Sequence, residues 1–142
     1  MPEILEVEAY RHLAEQVVGR TIATVEAPDH WFLKGGVTST GMADALTGRR
    51  ITAARRHGKV LLLDSGGPTL GLRFGMTGRL LVDGRAAIEY LEWGGRRSDP
   101  AWERFGLRFR GGGRLWIDDP RRLGGAELEP DLSLLGPDAW TL

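Results

Sequence analysis

From Arg50 onward the chain is cut by glycine into short apolar or alternating strings: ITAARR (51–56), KVLLLDS (59–65), TLGLRFG (69–75), GRLLVDG (78–84), FGLRFRG (105–111) and GRLWIDD (113–119). Each is too short for an ordinary helix, and GG and DG pairs separate them. The spacing therefore predicts strands joined by tight turns, in an antiparallel sandwich or barrel. The 21 glycines and 7 prolines among 142 residues supply the turn chemistry. Alternation is cleanest in FGLRFRGGGRLWIDD (105–119). There Phe105, Leu107 and Phe109 would point one way and Arg108 and Arg110 the other, with Leu115 and Ile117 continuing the apolar side after the turn. The sheet is expected to have an arginine face.

The first fifty residues read differently. In residues 3–18, Ile4, Val7, Tyr10, Ala14 and Val17 recur at helical spacing and Gly19 follows as a stop. Pro2 suits a first helical position, and Glu3 and Glu6 suit the positive end of the helix dipole. TIATVEAP (21–28) reads as a strand, and TSTGMADALTG (38–48) as a short second helix capped by Ser39 or Thr40. The tail from Glu127 is acidic and reads as a linker, with LGPDAWTL (135–142) resembling a helix start. The fold class expected is mainly β with flanking helices: an antiparallel β-sandwich with an N-terminal helix and a short second helix.

The formal charge is zero, with 19 basic and 19 acidic residues, but it is unevenly spread. Between Arg49 and Arg122 there are 16 Arg/Lys against 8 Asp/Glu, while the flanks hold 3 basic and 11 acidic residues. A basic middle of this kind points toward a polyanion, against the commoner reading of a solvated face of mixed charge. No apolar run reaches the ~18 residues of a membrane span, and the opening MPEILEVEAY lacks the apolar core of a secretory signal, so a cytoplasmic protein is expected.

Chemistry is constrained by what is missing. The chain has no cysteine, and His12, His30 and His57 are scattered, which leaves no cluster for a zinc site or a serine triad. GGVTSTG (35–41) lacks the lysine of a phosphate-binding loop. The N-terminus is the exception. Removal of Met1 would leave Pro2 with a free secondary amine, a group whose unperturbed pKa of roughly 7.7–8.0 leaves part of it neutral and nucleophilic near pH 7. A helix N-terminus would lower that value and Glu3 and Glu6 would raise it. By itself the pattern is more simply that of a good helix opening.

Four strings in order, MPEILEVE (1–8), RRHGKVLLL (55–63), RFGMTGRL (73–80) and DPRRLGG (119–125), resemble the formamidopyrimidine-DNA glycosylase and endonuclease VIII family of base-excision repair enzymes. The resemblance implies a DNA glycosylase and AP lyase that removes oxidised bases from damaged double-stranded DNA through a proline Schiff base and then nicks the strand. Under it, Pro2 would attack the sugar C1′, Glu3 would be its acid/base partner and Glu6 a supporting carboxylate. Lys59 would hold the phosphate beside the lesion, and Met76 would be a wedge inserted where the nucleotide is extruded. Arg121 would face the orphaned partner base, and Arg73 and Leu123 would complete the DNA-binding set. Extruding a nucleotide costs a few kcal/mol of stacking, which inserted side chains offset in part.

Three positions depart from the family strings. Leu5 stands where proline is usual, Arg73 where many members have histidine, and Leu123 where phenylalanine is common; the last puts the preference between oxidised purines and pyrimidines in doubt. Residues 1–128 are expected to form the catalytic sandwich, with 129–142 a linker into a helix-two-turn-helix domain. The resemblance implies zinc only in a four-cysteine finger beyond these residues, so no cofactor is expected in this chain. A monomer acting at the nucleoid, without membrane association, is expected. Two further readings are a non-catalytic DNA-binding module of the same fold and a small-molecule tautomerase using the N-terminal proline.

Overall fold

The computed structural model describes residues 4–86 and 99–135. Pro2, Glu3 and the helix start expected over 135–142, from residue 136 on, lie outside the described residues.

Among the described residues nine strands form two antiparallel sheets. The first five are β1 (Ile22–Glu26), β2 (Ala53–His57), β3 (Val60–Asp64), β4 (Leu70–Arg73) and β5 (Arg79–Val82). They are followed by β6 (Arg85–Ala86), β7 (Glu103–Phe109), β8 (Arg114–Asp118) and β9 (Gly125–Leu128). One sheet has the order β1-β7-β8-β5-β6 and the other β2-β3-β4-β9. Every glycine-delimited string expected as a strand contains one. β6 and β9 were not expected. The latter lies in GGAEL, which has no β-branched or aromatic residue, and it forms because β4 offers it a partner, with Leu72 facing Ala126 and Arg73 facing Gly125.

The core lies between the sheets. Phe105, Leu107 and Phe109 of β7 and Leu115 and Ile117 of β8 all turn inward and are buried, as the period of two requires. They meet Leu61 and Leu63 of β3, Leu72 of β4 and Leu80 and Val82 of β5 in one cluster.

Helix α1 (Ile4–Ala14) closes one end of that cluster with Val7, Tyr10, Leu13 and Ala14. It is shorter than the stretch expected, because its last turn tightens into a 3-10 helix at Glu15–Val17. There the β-branched Val17 and Val18 lead into Gly19, which takes a left-handed φ of 93°. Helix α2 (Ser39–Leu46) packs Met42 and Leu46 into the same core. Its cap is Thr38 rather than Ser39 or Thr40: the Thr38 hydroxyl accepts the Gly41 amide at 3.0 Å, while Ser39 already lies within the helix.

At the acidic tail, the Glu129 carboxylate accepts the Thr69 amide at 2.7 Å, and a Cβ added at Gly71 would meet Pro130 at 2.8 Å. Residues 129 and 130 are thus laid against β4. Among the described residues no helix is long and apolar enough to cross a membrane.

Candidate nucleic-acid interface

Two loops at one end of the sandwich carry three of the residues singled out above. The first joins β4 to β5. Phe74 is buried there and packs on the ring of Tyr10 from α1, with centroids 4.5 Å apart. The Gly78 amide donates back to the Phe74 carbonyl at 2.7 Å, and Gly75 sits at φ 59°. This tight closure pushes Met76 outward, where it is 62% exposed. An apolar side chain so exposed at a loop tip is not part of the core.

The second loop joins β8 to β9 and is built around Asp119. This carboxylate is fully buried. It accepts the amides of Arg121 at 3.2 Å, Arg122 at 3.1 Å and Gly124 at 2.9 Å. It also accepts the hydroxyl of Thr77 from the first loop, at 2.5 Å. The loops touch elsewhere as well: a Cβ at Gly75 would lie 2.6 Å from the Leu123 carbonyl carbon, and one at Gly124 would lie 2.2 Å from the Arg73 carbonyl oxygen. Met76 and the half-exposed Leu123 therefore project from a single clasped tip.

The two adjacent arginines of this tip divide their tasks. Arg122, at φ 58°, turns back to Asp29 with two hydrogen bonds of 2.6 and 2.9 Å. Asp29 is joined there by Arg104 at 3.4 Å. Burial pushes the Asp29 carboxyl up, but the hydrogen bonds and charge of Arg122, the Trp31 amide and the charge of Arg104 outweigh it and hold the carboxyl below its ordinary range. Arg122 is a strut. Arg121 is exposed, and its guanidinium makes no hydrogen bond or ion pair among the described residues.

Lys59 stands elsewhere, exposed in the two-residue turn between β2 and β3, where Gly58 supplies a φ of 57°. The hairpin is fixed to α1 through Arg56, whose side chain is 7% exposed. Arg56 pairs with Glu8 at 3.6 Å and donates to the Gly58 carbonyl at 3.0 Å. The same helix carries Glu6, half-buried two residues earlier. So α1 links the Lys59 hairpin to the tip, through Glu8 on one side and Tyr10 on the other.

Arg73 is brought into a different setting. Both its Nε and Nη2 donate to Glu127 Oε1, at 3.0 and 2.6 Å, so its guanidinium is shared with a carboxylate of β9.

The arginine face is present but differs from expectation. Arg108 projects outward, yet it pairs with Glu26 of β1 at 3.0 Å. Arg114 pairs with Glu26 at 3.1 Å and with Glu103, and stacks on Trp116 at 4.4 Å. Arg20 pairs with Asp83 at 2.9 Å. Arg108, Arg114 and Arg20 are thus matched by acids, whereas Arg110, the other arginine expected on this face, is exposed and makes no side-chain ion pair among the described residues. The reason for the matching is topological: β1 pairs with β7 so that Glu26 lies opposite Gly106, which has no side chain to keep it from Arg108 and Arg114. An open groove of about 890 Å³ on this side, lined in part by Glu26, Asp29, Glu103, Arg104 and Arg114, contains none of the residues expected at the catalytic or DNA-binding site.

Sequence reasoning missed Asp119, Thr77, Asp29 and Arg56. Only Asp119 left a local signal, as the residue before a proline in a turn. Among the described residues no group of three His, Asp or Glu side chains could hold a metal ion.

Fold and tip together define a β-sandwich domain with a cationic and apolar loop end. The family described as formamidopyrimidine-DNA glycosylase N-terminal domain matches residues 1–126. Two formamidopyrimidine-DNA glycosylases from strains of Cereibacter sphaeroides are 35% and 37% identical to this chain, each alignment covering 97% of the chain and 51% of the relative. Among solved structures, the Lactococcus lactis formamidopyrimidine-DNA glycosylase bound non-covalently to AP-site-containing DNA superposes with a TM-score of 0.71 at 25% identity. That match covers 89% of this chain and 45% of the other. The wild-type L. lactis enzyme in complex with DNA containing an oxidised pyrimidine gives 0.71 at 26% identity, over 89% and 44%. The chain belongs to the formamidopyrimidine-DNA glycosylase family. It spans about half the length of the curated relatives it matches.

Proposed function

We propose that this chain supplies the catalytic sandwich, residues 1–128, of a base-excision repair glycosylase and AP lyase acting on oxidised bases in double-stranded DNA. The observation that carries the reading is the clasped tip. Met76, Leu123 and an uncommitted Arg121 project together from two loops that are far apart in sequence but joined through Asp119. Such a tip suits insertion into a base stack, where apolar side chains fill the gap and a cation meets the orphaned base.

In this reading the neutral amine of Pro2 attacks C1′ of the damaged nucleotide. The C1′–base bond breaks, the base leaves with the electron pair, and an iminium to C1′ forms as the sugar ring opens. Glu3 moves the proton to the ring oxygen, with Glu6 supporting it; loss of a C2′ proton, made acidic by the iminium, then expels the 3′ phosphate with the C3′–O electron pair and nicks the strand. Lys59 holds a phosphate as a point charge on a hairpin tied to the helix bearing Glu6. Arg73, shared with Glu127, contributes a weaker backbone contact. Residues 129–142 lead toward a helical DNA-gripping part, any zinc belongs beyond this chain, and the protein works as a monomer at the nucleoid.

Borohydride trapping tests this reading. With Met1 removed, the chain should form a covalent adduct with abasic DNA whose cross-linked residue, located by peptide mass mapping, is Pro2, and the chain that retains Met1, in which the Pro2 nitrogen is an amide, should lose it. A cross-link mapped to another residue, or an equal yield from both forms, would show that Pro2 is not the nucleophile. Salt-dependent DNA binding with no adduct would instead favour a non-catalytic module.

A further inference from the structure

We propose that Asp119 is a positioning residue for nucleotide extrusion. It fixes the Met76 loop and the Arg121/Leu123 loop in one register, so that they enter the duplex as a unit; this rests on the reading of the tip given above.

One carboxylate gathers the donors of both loops. Oδ1 accepts the Thr77 hydroxyl and the amides of Arg121 and Arg122, while Oδ2 accepts the Gly124 amide. Four donors converge on a side chain with no solvent exposure and use both of its oxygens, whereas an asparagine amide has only one oxygen to offer them. Three of the four bonds shape the loop that Asp119 itself begins, as an Asx turn would. The fourth does not serve that loop. Thr77 lies 42 residues earlier, directly beside Met76, and its hydroxyl is the side-chain link across the gap.

The backbone is cut to match. Gly75 and Gly124 each sit where a Cβ would collide with the opposite loop, so the two chains are in direct contact at the points that flank Met76 and Leu123. Arg122 braces the same loop from behind through Asp29. What remains projecting is Met76, Arg121 and Leu123. A wedge made of side chains from two loops works only if both arrive together. Holding them in place beforehand removes an ordering cost from the step that unstacks the base.

The test separates insertion from chemistry. Asp119→Asn and Thr77→Val are compared with the wild type and with Thr77→Ser, which keeps the hydroxyl. Three readouts are taken. One is the fluorescence of 2-aminopurine opposite a tetrahydrofuran abasic analogue in duplex DNA, which rises when the partner base is unstacked. The second is excision of an oxidised base from duplex DNA. The third is borohydride trapping on single-stranded DNA with a ready-made abasic site, which needs no wedge.

Asp119→Asn and Thr77→Val should lose most of the 2-aminopurine signal and about 10²-fold in duplex excision, with single-strand trapping unchanged and Thr77→Ser close to wild type. Unchanged 2-aminopurine signal and duplex excision in both variants would overturn the inference. So would a parallel fall in all three readouts together with the thermal midpoint, which is the mark of a merely structural carboxylate. If the wild type traps nothing, the proposed chemistry fails while the 2-aminopurine comparison still decides the role of Asp119.

Discussion

The outer face of the β1-β7-β8 sheet and the β4–β5/β8–β9 tip both look like cationic surfaces in the sequence, and the structure treats them in opposite ways. On the sheet, Arg108 and Arg114 lie against Glu26, and Arg20 against Asp83. At the tip, one arginine of a pair is spent on Asp29 so that its neighbour stays uncommitted. A local excess of positive charge thus says little about which arginines are available. Availability depends on which acids the topology brings alongside, and here β1 brings Glu26 to the sheet while nothing comparable reaches Arg121 among the described residues.

Variants can break or sharpen this contrast. The largest effect is expected from Phe105→Ala, which empties a fully buried site common to both regions. It should cost about 3–5 kcal/mol of stability in chemical denaturation and lower every activity alike. Arg121→Ala should leave the denaturation midpoint in place and weaken duplex processing by about 1.5–3 kcal/mol, the range for a hydrogen bond to a charged group; comparing kcat/KM on duplex DNA reads this directly. An equal loss from Arg108→Ala would dissolve the distinction between tip and sheet.

Acid titration follows in size. Asp29, Asp64 and Asp83 are held below their ordinary range; for Asp83 the leading cause is the Arg20 hydrogen bond, and for Asp64 the Arg55 hydrogen bond. Depressed carboxylates contribute stability that is fully present above the unfolded value of about 3.9 and is lost as pH falls through the folded value. Stability measured by urea midpoints should therefore drop below about pH 4, and Asp29→Asn should flatten that drop more than Asp83→Asn, because the Asp83 carboxylate is itself the more exposed of the two. Smallest of all, Glu26→Gln should change stability by about 0–1 kcal/mol. The salt dependence of DNA binding should stay as in the wild type, because Arg108, although released from Glu26, lies on the face that the duplex leaves uncovered.

Much of the fold was legible because glycine-delimited strings of period two record local decisions. Phe105, Leu107 and Phe109 point inward for the same reason in the sequence and in the structure. The strand at Gly125–Leu128 was not legible, since Gly-Ala-Glu-Leu has no strand preference of its own and forms through its partner β4. The site divides along the same line. Met76, Arg121 and Leu123 could be read from their strings and do emerge on one tip. Thr77 and Asp119 could not be joined beforehand, because a side-chain bond across 42 residues leaves no periodic trace. Glu26 meets Arg108 from 82 residues away and was equally invisible. Long-range polar matching is what the sequence conceals, and it decides which charges are free.

Hydrogen–deuterium exchange with and without duplex DNA carrying a tetrahydrofuran abasic analogue tests the central contrast most directly. The account predicts protection in the segments around residues 74–78 and 119–124 and at the Lys59 turn, with the outer β7–β8 segment 108–114 unchanged. Protection centred on 108–114, with the two loops unaffected, would contradict it.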